Sequence, residues 1–110
     1  PDRYFLDNLN FNISKFTNLT FEKVDLDKFK CIKLAQQAIE SGGSYPTVLN
    51  VANDISVQLF LDDLISFTMI PELIEESLNN HQYINNPNLE EIKSITKQTK
   101  SNLIKQRKKL

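Results

Sequence analysis

The sequence has little glycine, sulfur or histidine: two glycines, one cysteine, one methionine and one histidine in 110 residues. Each scarcity excludes something. Phosphate-cradling loops need several glycines so that backbone N–H groups can close on the anion, whereas Gly42 and Gly43 are adjacent and lie between two helical patterns, so no nucleotide loop is encoded. The lone thiol, Cys31, cannot form an internal disulfide, which accords with a reducing compartment. Cys31 and His81 are far apart in sequence and neither has ligating neighbours, so zinc is not expected and both read as structural or solvent-facing. The acidic pairs Asp62/Asp63 and Glu75/Glu76 are poor candidates for a metal or an acid–base couple, because neighbours on a helix point about 100° apart. No apolar run approaches the roughly 20 residues of a membrane span, and PDRYFLDNLN lacks the basic start and apolar centre of a signal peptide, so the expected compartment is aqueous and intracellular. With Met69 as the only methionine, Pro1 is not expected to be where translation begins, and the chain is expected to be a piece of a longer protein. Catalytic, cofactor-binding and metal-binding residues are all expected to be absent from it.

With 40% hydrophobic and 25% charged residues and a net charge of −1, the chain reads as one ordinary globular domain. The charge is uneven: residues 1–86 hold twelve of the fourteen acids, and residues 87–110 hold seven of the thirteen bases. KQTKSNLIKQRKKL can neutralise phosphates, yet it lacks interleaved aromatics, and its cations cluster where a helix C-terminus favours them. Neither nucleic acid nor a membrane is expected as a partner.

Periodicity gives the architecture. In residues 1–24 only LTFEKV (19–24) has strand spacing, and a lone strand needs a partner from elsewhere. Phe29, Ile32, Ala35 or Gln36, and Ile39 then recur at three and four, which predicts a helix over 27–41, capped by Asp25 or Asp27 and ended by Gly42 in a left-handed conformation. Pro46 starts a second helix with Val48, Ala52, Ile55 and Leu59 in its stripe, flanked by Leu49, Ser56 and Phe60 and ended near Asp62 and Asp63. A third is predicted over 69–80, capped by Thr68, with Ile70, Leu73, Ile74, Ser77 and Leu78 inward. After the polar loop NNHQYINNPN, Asn88 and Glu91 have the spacing of a reciprocal cap, and Leu89, Ile92, Ile95, Thr99 and Leu103 carry a fourth helix. The predicted fold is mainly α: a small four-helix bundle over 26–110, preceded by an extended linker, 1–25, with one short β-strand. Asn50 and Asn53 fall among apolar neighbours, where a buried amide must find partners.

TFEKVDLDKFKCIKLAQQAIESGGSYPTVLNVANDISVQLFLDDLISFTMIPELIEE, residues 20–76, resembles the C-terminal region of the 1-deoxy-D-xylulose 5-phosphate reductoisomerase family. The resemblance is carried in order by Leu19-Thr20-Phe21, Asp25, Phe29 to Cys31 with Lys33 to Ala35, Gly43, Leu49-Asn50, Ala52-Asn53-Asp54, Phe60-Leu61, and Ile65, Phe67, Thr68 and Ile70. It covers residues 1–80, with 81–110 agreeing only as a loop and a final helix. Val24 and Lys30 stand where the family usually has proline, and Asp54 where it has glutamate; these changes soften the start of a helix rather than remove a ligand. The resemblance implies an NADPH-dependent enzyme of the non-mevalonate isoprenoid pathway. It would isomerise and reduce its substrate to 2-C-methyl-D-erythritol 4-phosphate with a divalent metal, Mg2+ or Mn2+, and would work as a homodimer in a bacterial cytoplasm or a plastid-type organelle. The family's dinucleotide motif, metal-binding acids, phosphate-binding residues and flap all precede this segment. What it implies here is a linker and a helical domain that buttresses its own upstream catalytic and NADPH-binding domains, inactive alone, with Asn50 and Asn53 as structural amides bonded to a neighbouring turn or the linker backbone.

A different class of protein, a free-standing helical interaction module with a basic last helix, shares these periodicities. The unpaired strand pattern at 19–24 favours the enzyme segment. At roughly 80 residues such a bundle buries little more than chain entropy requires, so it is expected to be marginally stable by itself.

Overall fold

Helix boundaries in this chain follow local hydrogen-bond chemistry. The computed structural model describes residues 11–109, which form a short 3₁₀ turn at Ile13–Phe16 and four helices: α1 (Lys30–Ser41), α2 (Tyr45–Leu61), α3 (Met69–Asn79) and α4 (Leu89–Arg107). The reciprocal cap of α4 forms as its sequence requires: Glu91 N–H donates to Asn88 Oδ1 at 2.9 Å, and Asn88 N–H donates to Glu91 Oε2 at 3.2 Å. Asp25 does cap, but one turn early. Its Oδ1 accepts from Asp27 N–H at 3.0 Å and Lys28 N–H at 3.1 Å, closing a turn before α1 begins at Lys30 rather than at 27. Thr68 stands at the N-cap of α3 without capping through its side chain, because its backbone is already helical (φ −69, ψ −18). The preceding turn serves the first donors instead, with Met69 N–H to the Ser66 carbonyl at 3.1 Å and Ile70 N–H to that of Phe67 at 3.2 Å.

Helix ends use positive φ. Gly42 ends α1 with φ 65 and ψ −151, a glycine-only combination, not the left-handed helical one expected of it. Asp63 follows α2 with φ 56, and the bonds Asp63 N–H to Phe60 O at 3.0 Å and Leu64 N–H to Leu59 O at 2.9 Å complete a Schellman motif.

α2 is the central helix and packs against α1, α3 and α4. Its stripe buries Val48, Ala52, Ser56 and Leu59, with Ile55 half-buried, and Ala52 and Leu59 join Leu34, Ile65, Ile70, Leu73, Ile74 and Leu103 in one core cluster. The inner face of α1 differs from its strongest periodicity. Leu34 and Ala38 are buried with Cys31 and Ala35 half-buried, while Phe29, Ile32 and Ile39 remain exposed. α1 carries two apolar stripes, and the one of Leu34 and Ala38 is the buried one. On α4 the buried line is Ile95, Thr99 and Leu103, and Leu89 is exposed.

No strand forms at 19–24: that segment runs without a ladder and is exposed throughout, since nothing among the described residues pairs with it. The turn before it is local, with Ser14 N–H on Asn12 Oδ1 at 3.0 Å and Phe11 stacked on Phe16 at 5.2 Å between ring centroids. Residues 1–10 of the predicted linker lie outside the described residues. No described helix is long and apolar enough to cross a membrane.

Among the described residues one core atom is unsatisfied. Ser56 is 0% exposed and its Oγ has no hydrogen-bond partner. A buried hydroxyl in that state costs about 1–3 kcal/mol. Ser56→Ala should therefore raise stability by about 1 kcal/mol, read as a melting temperature higher by roughly 4–8 °C in a domain of this size. A lower melting temperature would mean that the hydroxyl has a partner after all.

Candidate functional site

The paired glycines and the single histidine meet at the corner between α1 and α2. Ser44 is fully buried, and its backbone N–H donates to the Ile84 carbonyl at 3.0 Å while Ile84 N–H returns to Ser44 Oγ at 2.9 Å. The same Oγ lies 2.7 Å from His81 Nε2. Because Oγ already accepts from Ile84, the arrangement balances when its hydroxyl donates to an unprotonated Nε2. Around this pair Tyr45 stacks on Tyr83 (5.3 Å) and meets the His81 ring edge-on (5.9 Å), and Tyr83 Oη donates to Asn85 Oδ1 at 3.2 Å. Gly43 is the seat of the lock. A Cβ there would stand 2.5 Å from the Ile84 carbonyl oxygen and 2.6 Å from the Tyr83 ring.

A serine against a histidine invites comparison with a nucleophile and its base, but this hydroxyl is sealed from solvent and both its bonds are used. Among the described residues no carboxylate is hydrogen-bonded to His81 to orient it, so the triad logic lacks its third member. The pair is a latch that holds the 81–85 loop on the α1–α2 corner.

Burial lowers the His81 pKa below its ordinary 6.5. The unfolded chain then binds a proton more readily than the folded one, so the neutral ring's contribution is complete above about pH 6.5 and is lost as pH falls through the depressed value. We expect the melting temperature to decline below pH 6.5 by more in the native chain than in His81→Gln, whose amide cannot titrate. Parallel pH profiles for the two would contradict the latch.

Other candidate residues remain dispersed. Cys31 is half-buried on α1 and burial raises its thiol pKa, which lowers its thiolate fraction. Asp62 accepts from Gln58 Nε2 at 2.9 Å, Asp63 ends α2, and Glu75 and Glu76 are exposed on α3. Among the described residues no three His, Cys, Asp or Glu side chains gather where they can hold a metal ion. A divalent cation needs several convergent oxygens, which these dispersed side chains do not present. The basic end of α4 borders an open cleft of about 650 Å3 against the 77–84 segment, where Gln98, Asn102 and Lys105 face His81 and Tyr83.

Asn50 and Asn53 are exposed, and among the described residues neither amide side chain is hydrogen-bonded, which corrects their reading as satisfied structural amides. They lie on the outer side of α2, turned away from the Val48–Ala52–Leu59 stripe. The latch itself escaped sequence reasoning. Its signal was the paired glycines flanked by serines in SGGS together with aromatic residues at 45 and 83, two segments nearly forty residues apart.

Comparison with known proteins supplies the setting. A family model described as the DXP reductoisomerase C-terminal domain matches residues 1–102, so the match continues past residue 80 into α4. The 1-deoxy-D-xylulose 5-phosphate reductoisomerase of Thermoanaerobacter pseudethanolicus is 44% identical over 106 residues, 96% of this chain and 28% of the relative. That of a Geobacillus species is 43% identical over 101 residues, 91% of this chain and 26% of the relative. Among solved structures, the reductoisomerase from Zymomonas mobilis in complex with NADPH superposes on 100% of this chain with a TM-score of 0.80 at 29% identity, using 29% of its own length. The chain thus spans little more than a quarter of the proteins it resembles.

Proposed function

The chain belongs to the DXP reductoisomerase C-terminal domain family, and from that membership we propose that it is the helical supporting domain of an NADPH-dependent 1-deoxy-D-xylulose 5-phosphate reductoisomerase. Residues 1–25 act as the connecting segment and 26–110 as the domain proper. The whole protein isomerises its sugar phosphate, reduces the resulting aldehyde with NADPH and thereby makes 2-C-methyl-D-erythritol 4-phosphate. Its working form is a homodimer in a bacterial cytoplasm, in keeping with its bacterial relatives. NADPH and a divalent metal, Mg2+ or Mn2+, are held by polypeptide other than these helices. No residue here is assigned to substrate, cofactor or reacting atoms.

The reading is carried by one observation: 44% identity across 96% of the chain to a reductoisomerase of which it is only 28%. The dispersal of the acidic side chains supports it, since the described residues gather no cluster able to hold a metal ion and the Ser44 hydroxyl is sealed from solvent. What remains for the domain is mechanical. Phe11, Ile13, Leu19, Phe21 and Val24 are all more than half exposed in the connecting segment, and apolar side chains in such number call for cover by another body.

The test is calorimetric titration of NADPH into the 110-residue chain with Mg2+ present. No saturable heat is expected up to about 1 mM, where a complex of roughly −4 kcal/mol registers. Saturable binding below that concentration would sink the reading, because it would place cofactor contacts within these residues.

A further inference from the structure

We infer that the outer ridge of α2, formed by Asn50, Asn53, Asp54, Val57 and Leu61 and extended by Phe67, is a docking surface covered by the upstream part of the same polypeptide. The inference rests on the reading just given and names the face that reading leaves open. At 100° per residue the five helical positions fall within an arc of about 100°, opposite the stripe that enters the core. All are exposed: Val57 is 36%, Leu61 65% and Phe67 70% accessible, and the two amides and the carboxylate face outward.

Composition distinguishes this ridge from an ordinary solvent face. Asp54 is the only charged residue among the seventeen of α2, whereas α4, of similar length, carries seven among nineteen. A helix left facing water on one side normally spends that side on lysine and glutamate, and a helix nearly uncharged all round is one enclosed on every side. Here α1, α3 and α4 enclose only the inner half. The ridge also has what a protein partner uses: apolar area from Val57 and Leu61, an aromatic held edge-on against Phe60 at 5.6 Å, and carboxamides able to bond to backbone groups.

The occupant follows from how much chain lies elsewhere. The relatives place nearly three quarters of their length outside the segment matched here. The connecting segment, exposed along 11–29 with apolar side chains set among polar ones, is the tether that keeps that body close, so docking is intramolecular and needs little intrinsic affinity. A second copy of this domain is less suited, since the same ridge on both partners would set Asp54 near its own equivalent.

The test is thiol labelling of the full-length polypeptide carrying single cysteines at Val57→Cys or Leu61→Cys on the ridge and at Lys97→Cys on the outer face of α4, each site followed by peptide mass spectrometry. We expect the ridge positions to react at least about tenfold more slowly than Lys97→Cys in the native protein and equally fast in urea. Equal native rates, in a polypeptide that still oxidises NADPH with its sugar phosphate, would overturn the docking surface and leave the domain assignment standing. Absence of that turnover would instead overturn the assignment. If the ridge variants unfold, a photo-crosslinker at Asn53 reports in their place. Mixed light and heavy-isotope copies should give cross-links to upstream peptides of the same copy; light-to-heavy cross-links would give the ridge to a second copy and overturn the proposed occupant.

Discussion

Gly43→Ala should destabilise the domain by about 2–5 kcal/mol, the sum of roughly 1–2 for a side chain at positive φ and 1–3 for overlap with rigid neighbours. The residue holds φ +55, and its missing Cβ is the space filled by the Ile84 carbonyl at 2.5 Å and the Tyr83 ring at 2.6 Å. Neither yields cheaply. The carbonyl is tied to Ser44 N–H at 3.0 Å, and the Tyr83 ring is stacked on Tyr45. Gly42→Ala is the control: φ is +65 but nothing lies within 4 Å of its Cβ, so backbone strain alone operates, about 1–3 kcal/mol. Urea denaturation of both variants decides it. A Gly43→Ala cost no greater than that of Gly42→Ala would mean that the 81–85 loop does not rest on this corner.

Leu103→Ala should cost about 2–5 kcal/mol, the range for a large aliphatic side chain removed from a closed core. Leu103 is 1% exposed and joins α4 to the cluster of Ala52, Leu59, Leu73 and Ile74. α4 buries only Ile95, Thr99 and Leu103, so this one side chain anchors the C-terminal half of a 19-residue helix. The loss should appear locally as well as globally. Amide exchange should accelerate most from residue 99 onward while α3 keeps its protection relative to the global stability. A loss below about 1 kcal/mol would show that α4 is held by its outer contacts instead.

The helices were legible because their signals are local. The Asn88–Glu91 cap, Pro46 in the first turn of α2 and the Ile70–Leu73–Ile74 stripe depend on residues within one or two turns, and each forms where its spacing places it. The inner face of α1 was not legible, since Phe29, Ile32 and Ile39 give a stronger apolar period than Leu34 and Ala38, and only the position of α2 decides between them. For the same reason Asn50 and Asn53 look buried among apolar neighbours when read along the chain, yet lie outside when the helix is packed. The latch was hidden differently: Ser44, His81 and Ile84 meet across nearly forty residues, and no single-segment pattern links them. At 19–24 the alternation is present and the ladder is not, because strand formation needs a second segment.

The supporting role is tested most directly by separating the two parts of the whole protein and measuring the initial rate of NADPH oxidation. The upstream polypeptide alone should be inactive or nearly so. Added 110-residue chain should restore turnover in a saturable way, and chain carrying His81→Gln should restore the same plateau if, as proposed, the helices contribute by holding rather than by reacting. Full activity of the upstream polypeptide alone, or a plateau abolished by His81→Gln in a chain that still folds, would contradict the account.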